Sequence, residues 1–170
     1  MESIICKYIE SSWEANMIMS GLGKSIDKRY ATWTEAQVSK LKRTIKSMQK
    51  PIEPIILYRG AQCSPILENI NDDQALERFL RKEHISNPSP ISTSTSKNIA
   101  KEFIYRGGYL HVFHLDIGVQ VLDFSEIQCK NPRVMKGKKR EKEFIIAPNH
   151  TFIPIRRYRD TFHWRITRNE

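Results

Sequence analysis

The apolar positions change rhythm once along the chain. Ile5, Tyr8, Ile9, Trp13 and Met17 recur near helical spacing and predict a helix over about 3–18, ended by Gly21-Leu22-Gly23. Thr32-Trp33-Thr34-Glu35 reads as a capping box, with Glu35 three residues after Thr32. The helix behind it carries a one-faced stripe, Val38, Leu41, Ile45 and Met48, with Lys40, Lys42, Arg43 and Lys46 outside it. Such a stripe belongs in a core, and Pro51 and Pro54 stop the helix.

From Pro54 the rhythm is that of strands. Ile55-Ile56-Leu57-Tyr58 is apolar on both faces until Arg59-Gly60. Asn71-Asp72-Asp73 can cap a short helix through Leu76, Phe79 and Leu80. Asn87-Pro88-Ser89-Pro90 is a rigid loop leading into the hydroxyl-rich Ile91-Ser92-Thr93-Ser94-Thr95-Ser96, and Ser96 can cap a helix holding Ile99, Ala100 and Phe103. Arg106-Gly107-Gly108 is a turn, and strands follow at 109–117, 119–124, 144–147, 151–155 and 162–166. Helices crowd the first half and strands the second, so the class is α+β rather than alternating βαβ. No repeat, low-complexity tract or linker divides residues 1–170, which therefore read as one domain.

Composition narrows the partners without choosing one. Twenty-eight Lys and Arg against 19 Asp and Glu give a formal charge of +9, suited to an anionic ligand, nucleic acid or an acidic protein surface. No apolar run approaches the ~18 residues of a membrane span. The opening Met1-Glu2-Ser3 does not start a classical signal peptide, and Cys6, Cys63 and Cys129 are odd in number and far apart. Those cysteines read as reduced thiols in an intracellular setting, with delivery into a host cell the other option. They form no metal-ligand pattern with His84, His111, His114, His150 or His163, which are scattered and read as structural or surface residues.

Three polar stations remain, each at a strand end: Arg59, Ser92-Thr93-Ser94, and Glu141 with Glu143. A lone Glu-x-Glu is ordinarily a solvated strand end. On a strand, however, residues i and i+2 share a face, so Glu141 and Glu143 would aim into one space and raise each other's pKa unless a cation lies between them. A planar guanidinium suits a phosphate, hydroxyls can position a carboxylate, and a carboxylate can stabilise the oxocarbenium formed as a glycosidic bond breaks. A molecule with two phosphates, a ribose and a good leaving group would use all three stations. NAD is one, and its nicotinamide leaves from a cationic nitrogen without an acid to protonate it.

In order and spacing these stations resemble the Arg–Ser–Glu class of mono-ADP-ribosyltransferases, the group of bacterial toxins and vertebrate ecto-enzymes. Leu57-Tyr58-Arg59-Gly60 is similar to that family's strand-borne Arg motif. Pro90-Ile91-Ser92-Thr93-Ser94, with Ile99-Ala100 and Phe103 behind it, is similar to its Ser-Thr-Ser motif. A second register, 94–96, is open, but 92–94 keeps the usual distance to the Ala-and-Phe helix. Glu141-Lys142-Glu143 with its trailing apolar strand and Pro148 resembles the Glu-x-Glu motif, and Tyr8 to Asn16 resembles the family's first helix.

The resemblance implies a fold of two small packed sheets enclosing an NAD cleft, and no metal. It implies that Tyr58, Arg59, Gly60, Ser92, Thr93, Ser94, Phe103, Arg106 and Glu143 bind NAD. Arg59 would contact the phosphates, and Ser92 would hold Glu143. Glu143 would bind the nicotinamide ribose and stabilise the transition state, while Glu141 would orient the acceptor. A Glu at that position goes with arginine as acceptor in this family. Two departures stand out: Ser89 occupies the place of the family's usual Asn, and the loop before Glu141 is unusually basic from Lys136 to Arg140. That run suits docking to an acidic target surface, nuclear localisation or nucleic acid contact. Two alternatives to arginine transfer follow, a nucleic-acid-binding module on a catalytically dead version of the fold, and an NAD glycohydrolase.

Overall fold

The computed structural model describes residues 4–10, 12–19, 24, 26, 27, 29, 31–48, 50, 51, 53–61, 77–104, 108–124, 127, 129, 136 and 140–168. Three helices come first: α1 (Ile4–Glu10), α2 (Ser12–Met19) and α3 (Glu35–Met48). The helix expected over 3–18 is described as these two stretches, 4–10 and 12–19; residue 11 between them and Gly21-Leu22-Gly23 lie outside the described residues. In α3 the stripe is real: Val38, Leu41 and Ile45 are buried, while Lys40, Lys42, Arg43 and Lys46 are exposed. Helices do not fill the first half, because strands already begin at Lys50. Residues 77–80 are helical, as expected for the short helix through Phe79 and Leu80, while Asn71-Asp72-Asp73 and Leu76 lie outside the described residues.

The capping box lies two residues later than the pattern Thr32-x-x-Glu35 suggests. The Gln37 amide donates to Thr34 Oγ1 at 3.2 Å, and the Thr34 amide donates to Gln37 Oε1 at 3.0 Å. Thr32 is taken by another partner. The buried Glu14 of α2 accepts from the Thr32 amide, the Thr32 hydroxyl and the Trp33 amide, at 2.9, 2.5 and 2.8 Å. Burial pushes the Glu14 carboxyl up, but these hydrogen bonds and the Lys7 charge outweigh it and hold the group below its usual range. Lys7 adds a hydrogen bond to the Thr32 carbonyl and lies 4.6 Å from the Trp33 ring centre. Together these contacts clasp the segment before α3 to α1 and α2.

The strands are β1 (Lys50–Pro51), β2 (Ile55–Ala61), β3 (Ile85–Ser86), β4 (Ile91–Ser94), β5 (Tyr109–Leu115), β6 (Gln120–Asp123), β7 (Glu143–Ile146), β8 (His150–Tyr158) and β9 (Thr161–Arg168), with α4 (Lys97–Glu102) after β4. Among the described residues they make one sheet in the order β1-β6-β7-β4-β2-β5-β9-β8-β3. The two separate sheets expected from the family resemblance are therefore not seen. The joint is narrow, however: β2 meets β4 only at Tyr58↔Ser94, whereas it pairs with β5 along its whole length. Bent there, the sheet packs its two halves against each other. Ile91, Val121 and Ile146 from one half share a cluster with Leu57, Phe113, Phe152 and Ile166 from the other.

Alternation sends the next residues outward. Leu122 and Ile145 pack under the helices with Tyr8, Leu41 and Ile45. On the other half, Leu110, Val112 and Tyr58 pack against Ala100 of α4 and Ile104 beyond it. Each fully buried Ile or Leu contributes about 1.5–3 kcal/mol, and a cleft lies along the joint between the two halves.

The cysteines depart from expectation. Cys6 of α1 and Cys129 form a disulfide with a Cα–Cα distance of 5.7 Å. Their separation of 123 residues hides the pairing in the sequence. The fold makes it, by packing α1 against the segment after β6 through Ile5, Phe124 and Ile127. Reduced thiols therefore no longer speak for an intracellular setting. Cys63 lies outside the described residues. No helix among the described residues is long and apolar enough to cross a membrane.

Candidate active site

The β4–β7 ladder decides which hydroxyls meet which carboxylate. Its register sets Ser92 opposite Ile145 and Ser94 opposite Glu143, and opposed residues share a face. Ser92, Ser94 and Glu143 therefore lie on one side, and Thr93 lies on the other with Phe144. The Ser92 hydroxyl donates to Glu143 Oε1. The Thr93 hydroxyl donates to the Phe144 carbonyl at 2.7 Å, and the Ser94 hydroxyl to the Glu141 carbonyl at 2.6 Å. Ser96 has different work: its Oγ accepts the Ile99 amide at 3.4 Å and caps α4. The two registers open in the sequence are thus separated by geometry, and the hydroxyl beside the acid is Ser92.

Glu141 is not on the strand. β7 begins at Glu143, and Lys142 has a φ of 48°, in the left-handed region. A turn, rather than the i and i+2 alternation of a strand, relates the two carboxylates. That turn is held by the Ser94 hydroxyl on the Glu141 carbonyl and by the Thr95 amide on the Lys142 carbonyl at 3.3 Å. Both carboxylates still line one cavity, because the turn swings Glu141 back toward it. Lys142→Gly removes the Cβ penalty and is expected to be neutral or slightly stabilising. Lys142→Val adds β-branching and should cost about 1–2 kcal/mol. Thermal melts of the two variants measure the difference, and equal melting points would contradict it.

Across the joint, β2 brings Arg59, whose Nη1 donates to the Ser92 carbonyl at 2.9 Å. The shared cavity has a volume of about 370 Å³ and is lined by Tyr58, Arg59, Gly60, Ser92, Thr93, Ser94, Phe103, Glu141 and Glu143, with Ser12, Asn16, Ile99 and Ala100. Phe103, 47% exposed, stands at its edge. Arg106 lies outside the described residues, as do Gly137, Lys138 and Lys139 of the basic run. Arg140, the last of that run, forms an exposed ion pair with Glu102 of α4 at 2.6 Å. No group of three or more His, Cys, Asp or Glu side chains that could hold a metal ion occurs among the described residues.

Supporting residues hold these groups in place, and of them only Tyr8 and Asn16 stand out in the sequence. Tyr8 Oη donates to Asn16 Oδ1 at 3.1 Å, fixing an α2 side chain on the cavity wall. Asn87, fully buried, donates to the Ser89 and Ala147 carbonyls, both at 2.9 Å, and accepts the His150 amide at 2.8 Å. It locks the loop before β4 to the turn after β7, and so locks the register of the Ser92–Glu143 pair. The Asn-Pro dipeptide announces a loop there but not a buried clamp. His111 pairs with Arg59 across β2 and β5, accepts the Trp164 indole N–H at 3.1 Å, and is stacked on Phe162. Burial drives its pKa down to about 3, helped by the Arg59 charge, so it is a neutral platform behind that guanidinium.

No protein-family model matches the chain, and no curated protein sequence does. Solved structures do. The Vis toxin of Vibrio splendidus, an ADP-ribosyltransferase, superposes with a TM-score of 0.54 at 18% identity, over 96% of this chain and 70% of that one. An ADP-ribosyltransferase of Clostridium botulinum gives 0.59 at 16% identity, over 96% and 83%. An ADP-ribosyltransferase toxin of Paenibacillus larvae gives 0.61 at 12% identity, over 96% and 84%. Vis has also been solved in complex with agmatine. At these identities the likeness establishes the fold: the chain adopts the ADP-ribosyltransferase fold.

Proposed function

We propose that the cleft binds NAD and that the protein transfers its ADP-ribose to an arginine side chain of a target protein. The observation that carries this reading is the Ser92 hydroxyl on Glu143, with Arg59 holding the Ser92 carbonyl and Glu141 lining the same cavity. In this reading residues 1–170 act as one catalytic domain. Arg59 binds the NAD phosphates, and the backbone near Gly60 binds the nicotinamide amide. The bond from the nicotinamide nitrogen to the ribose C1′ breaks, and its electron pair stays with the ring, releasing neutral nicotinamide. Glu143, held by Ser92, faces the positive charge that develops on the ribose. A guanidinium nitrogen then bonds to C1′, and its proton passes to Glu141. A guanidinium has a pKa above ~12, so a carboxylate that both holds it and accepts a proton suits this acceptor. The agmatine in the Vis complex, itself a guanidine, supports the same choice.

The nucleic-acid alternative rested on Lys136–Arg140. Of that run, Arg140 is engaged by Glu102. Separating transferase from glycohydrolase takes one variant. Glu141→Gln is expected to lower ADP-ribose transfer to protein by about a hundredfold while NAD hydrolysis to free ADP-ribose continues. Counting protein-bound and free ADP-ribose from labelled NAD reads both. Transfer that survives while hydrolysis disappears would reverse the roles given to the two acids.

A further inference from the structure

A second cavity, of about 520 Å³, lies where α3 meets the turn after β7 and the end of β9. It shares no lining residue with the cleft. Three cations line it, Lys42 and Lys46 from α3 and Arg168 from β9, and no carboxylate does among the described residues. Lys42 and Lys46 are i and i+4 on one helix face, where like charges are unfavourable. Arg168 joins them from a different element, so three positive charges surround one concavity whose walls focus their field. Gln120 and Asn149 add amide groups, and Met19 and Ile45 add apolar surface.

The floor is rigid. His150 Nδ1 lies 2.9 Å from the Ala147 carbonyl, and its Nε2 accepts the Gln120 amide at 3.0 Å, so both ring nitrogens are occupied and the ring is neutral. Asn87 holds the same turn by its hydrogen bonds to Ala147 and His150.

We propose that this cavity is a second ligand site, for a small molecule that joins two or more phosphate groups to an organic body. A diphosphate presents its charge in one compact group to the three cations that line the cavity, and Met19 and Ile45 suit the organic part. The site does not depend on the function assigned to the cleft.

The test is a titration of the isotopically labelled full chain with inorganic pyrophosphate and then ADP, followed by amide resonances. Saturable shifts at Gln120, Asn149, His150 and Arg168 are expected, with ADP binding tighter than pyrophosphate. Lys46→Gln combined with Arg168→Gln should weaken binding about tenfold or more, whereas Lys46→Arg should retain it. Shifts confined to Gly60, Ser92 and Glu143, unsaturable shifts, equal affinity for the two probes, or a double variant that binds unchanged would each overturn the assignment.

Discussion

Glu143→Gln is expected to cut nicotinamide release by about 10²–10³-fold with little change in folding stability. The substitution is isosteric, and the buried position keeps an oxygen to accept the Ser92 hydroxyl. What disappears is the negative charge facing the ribose as the nicotinamide leaves. Because that charge is most valuable when the sugar is most cationic, the loss should fall on kcat rather than on KM. Ser92→Ala should fall between the parent and Glu143→Gln, since it leaves the carboxylate present but no longer oriented. Steady-state nicotinamide release, with a thermal melt as control, measures both effects. A Glu143→Gln protein that turns over at the parent rate would remove Glu143 from the chemistry.

Gly60→Ala is expected to destabilise the protein by about 3 kcal/mol and to weaken NAD binding at the same time. A Cβ at position 60 would stand 1.9 Å from the Ala100 carbonyl oxygen, a backbone atom of α4 that cannot rotate away. It would also come within 2.9 Å of Ile104 Cγ1. Either β2 or α4 must move, and both line the cleft. Gly118→Ala is the useful comparison. There a Cβ meets nothing within 4 Å but the backbone has a φ of 82°, so the penalty is conformational, about 1–2 kcal/mol, and remote from the cleft. Denaturant unfolding and NAD titration should therefore show the two glycines differing in both readouts. Equal losses of stability would contradict the close α4–β2 approach.

Much of the fold was legible because the deciding interactions are local. The α3 stripe, the apolar run of β2, the Ser96 cap and the apolar tail of Glu143 each follow from spacing within a few residues. Where two local solutions compete, spacing cannot choose: Thr32-x-x-Glu35 and Thr34-x-x-Gln37 both fit a capping box, and only the Glu14 contacts, from 18 residues upstream, remove Thr32. The strands β1 and β3, two residues each, are too short to carry a period. The single bent sheet hangs on one cross-strand pair, Tyr58↔Ser94, which no pattern within either strand encodes. The Cys6–Cys129 bond and the Asn87 clamp are contacts between distant segments.

At the site itself, residue types were readable but the local geometry of the acids was not. Glu141 reaches the cavity through a left-handed turn at Lys142, a position where a lysine gives no warning. Ser12 lines the cleft and His111 lies beside Arg59 in the sheet without any distinguishing sequence signal.

The most direct measurement is a mass spectrum of the products after the full chain is incubated with NAD and agmatine. Joining of ADP-ribose to agmatine, with one nicotinamide released for each adduct, is the predicted result. NAD left intact, or free ADP-ribose with no adduct at saturating agmatine, would contradict it.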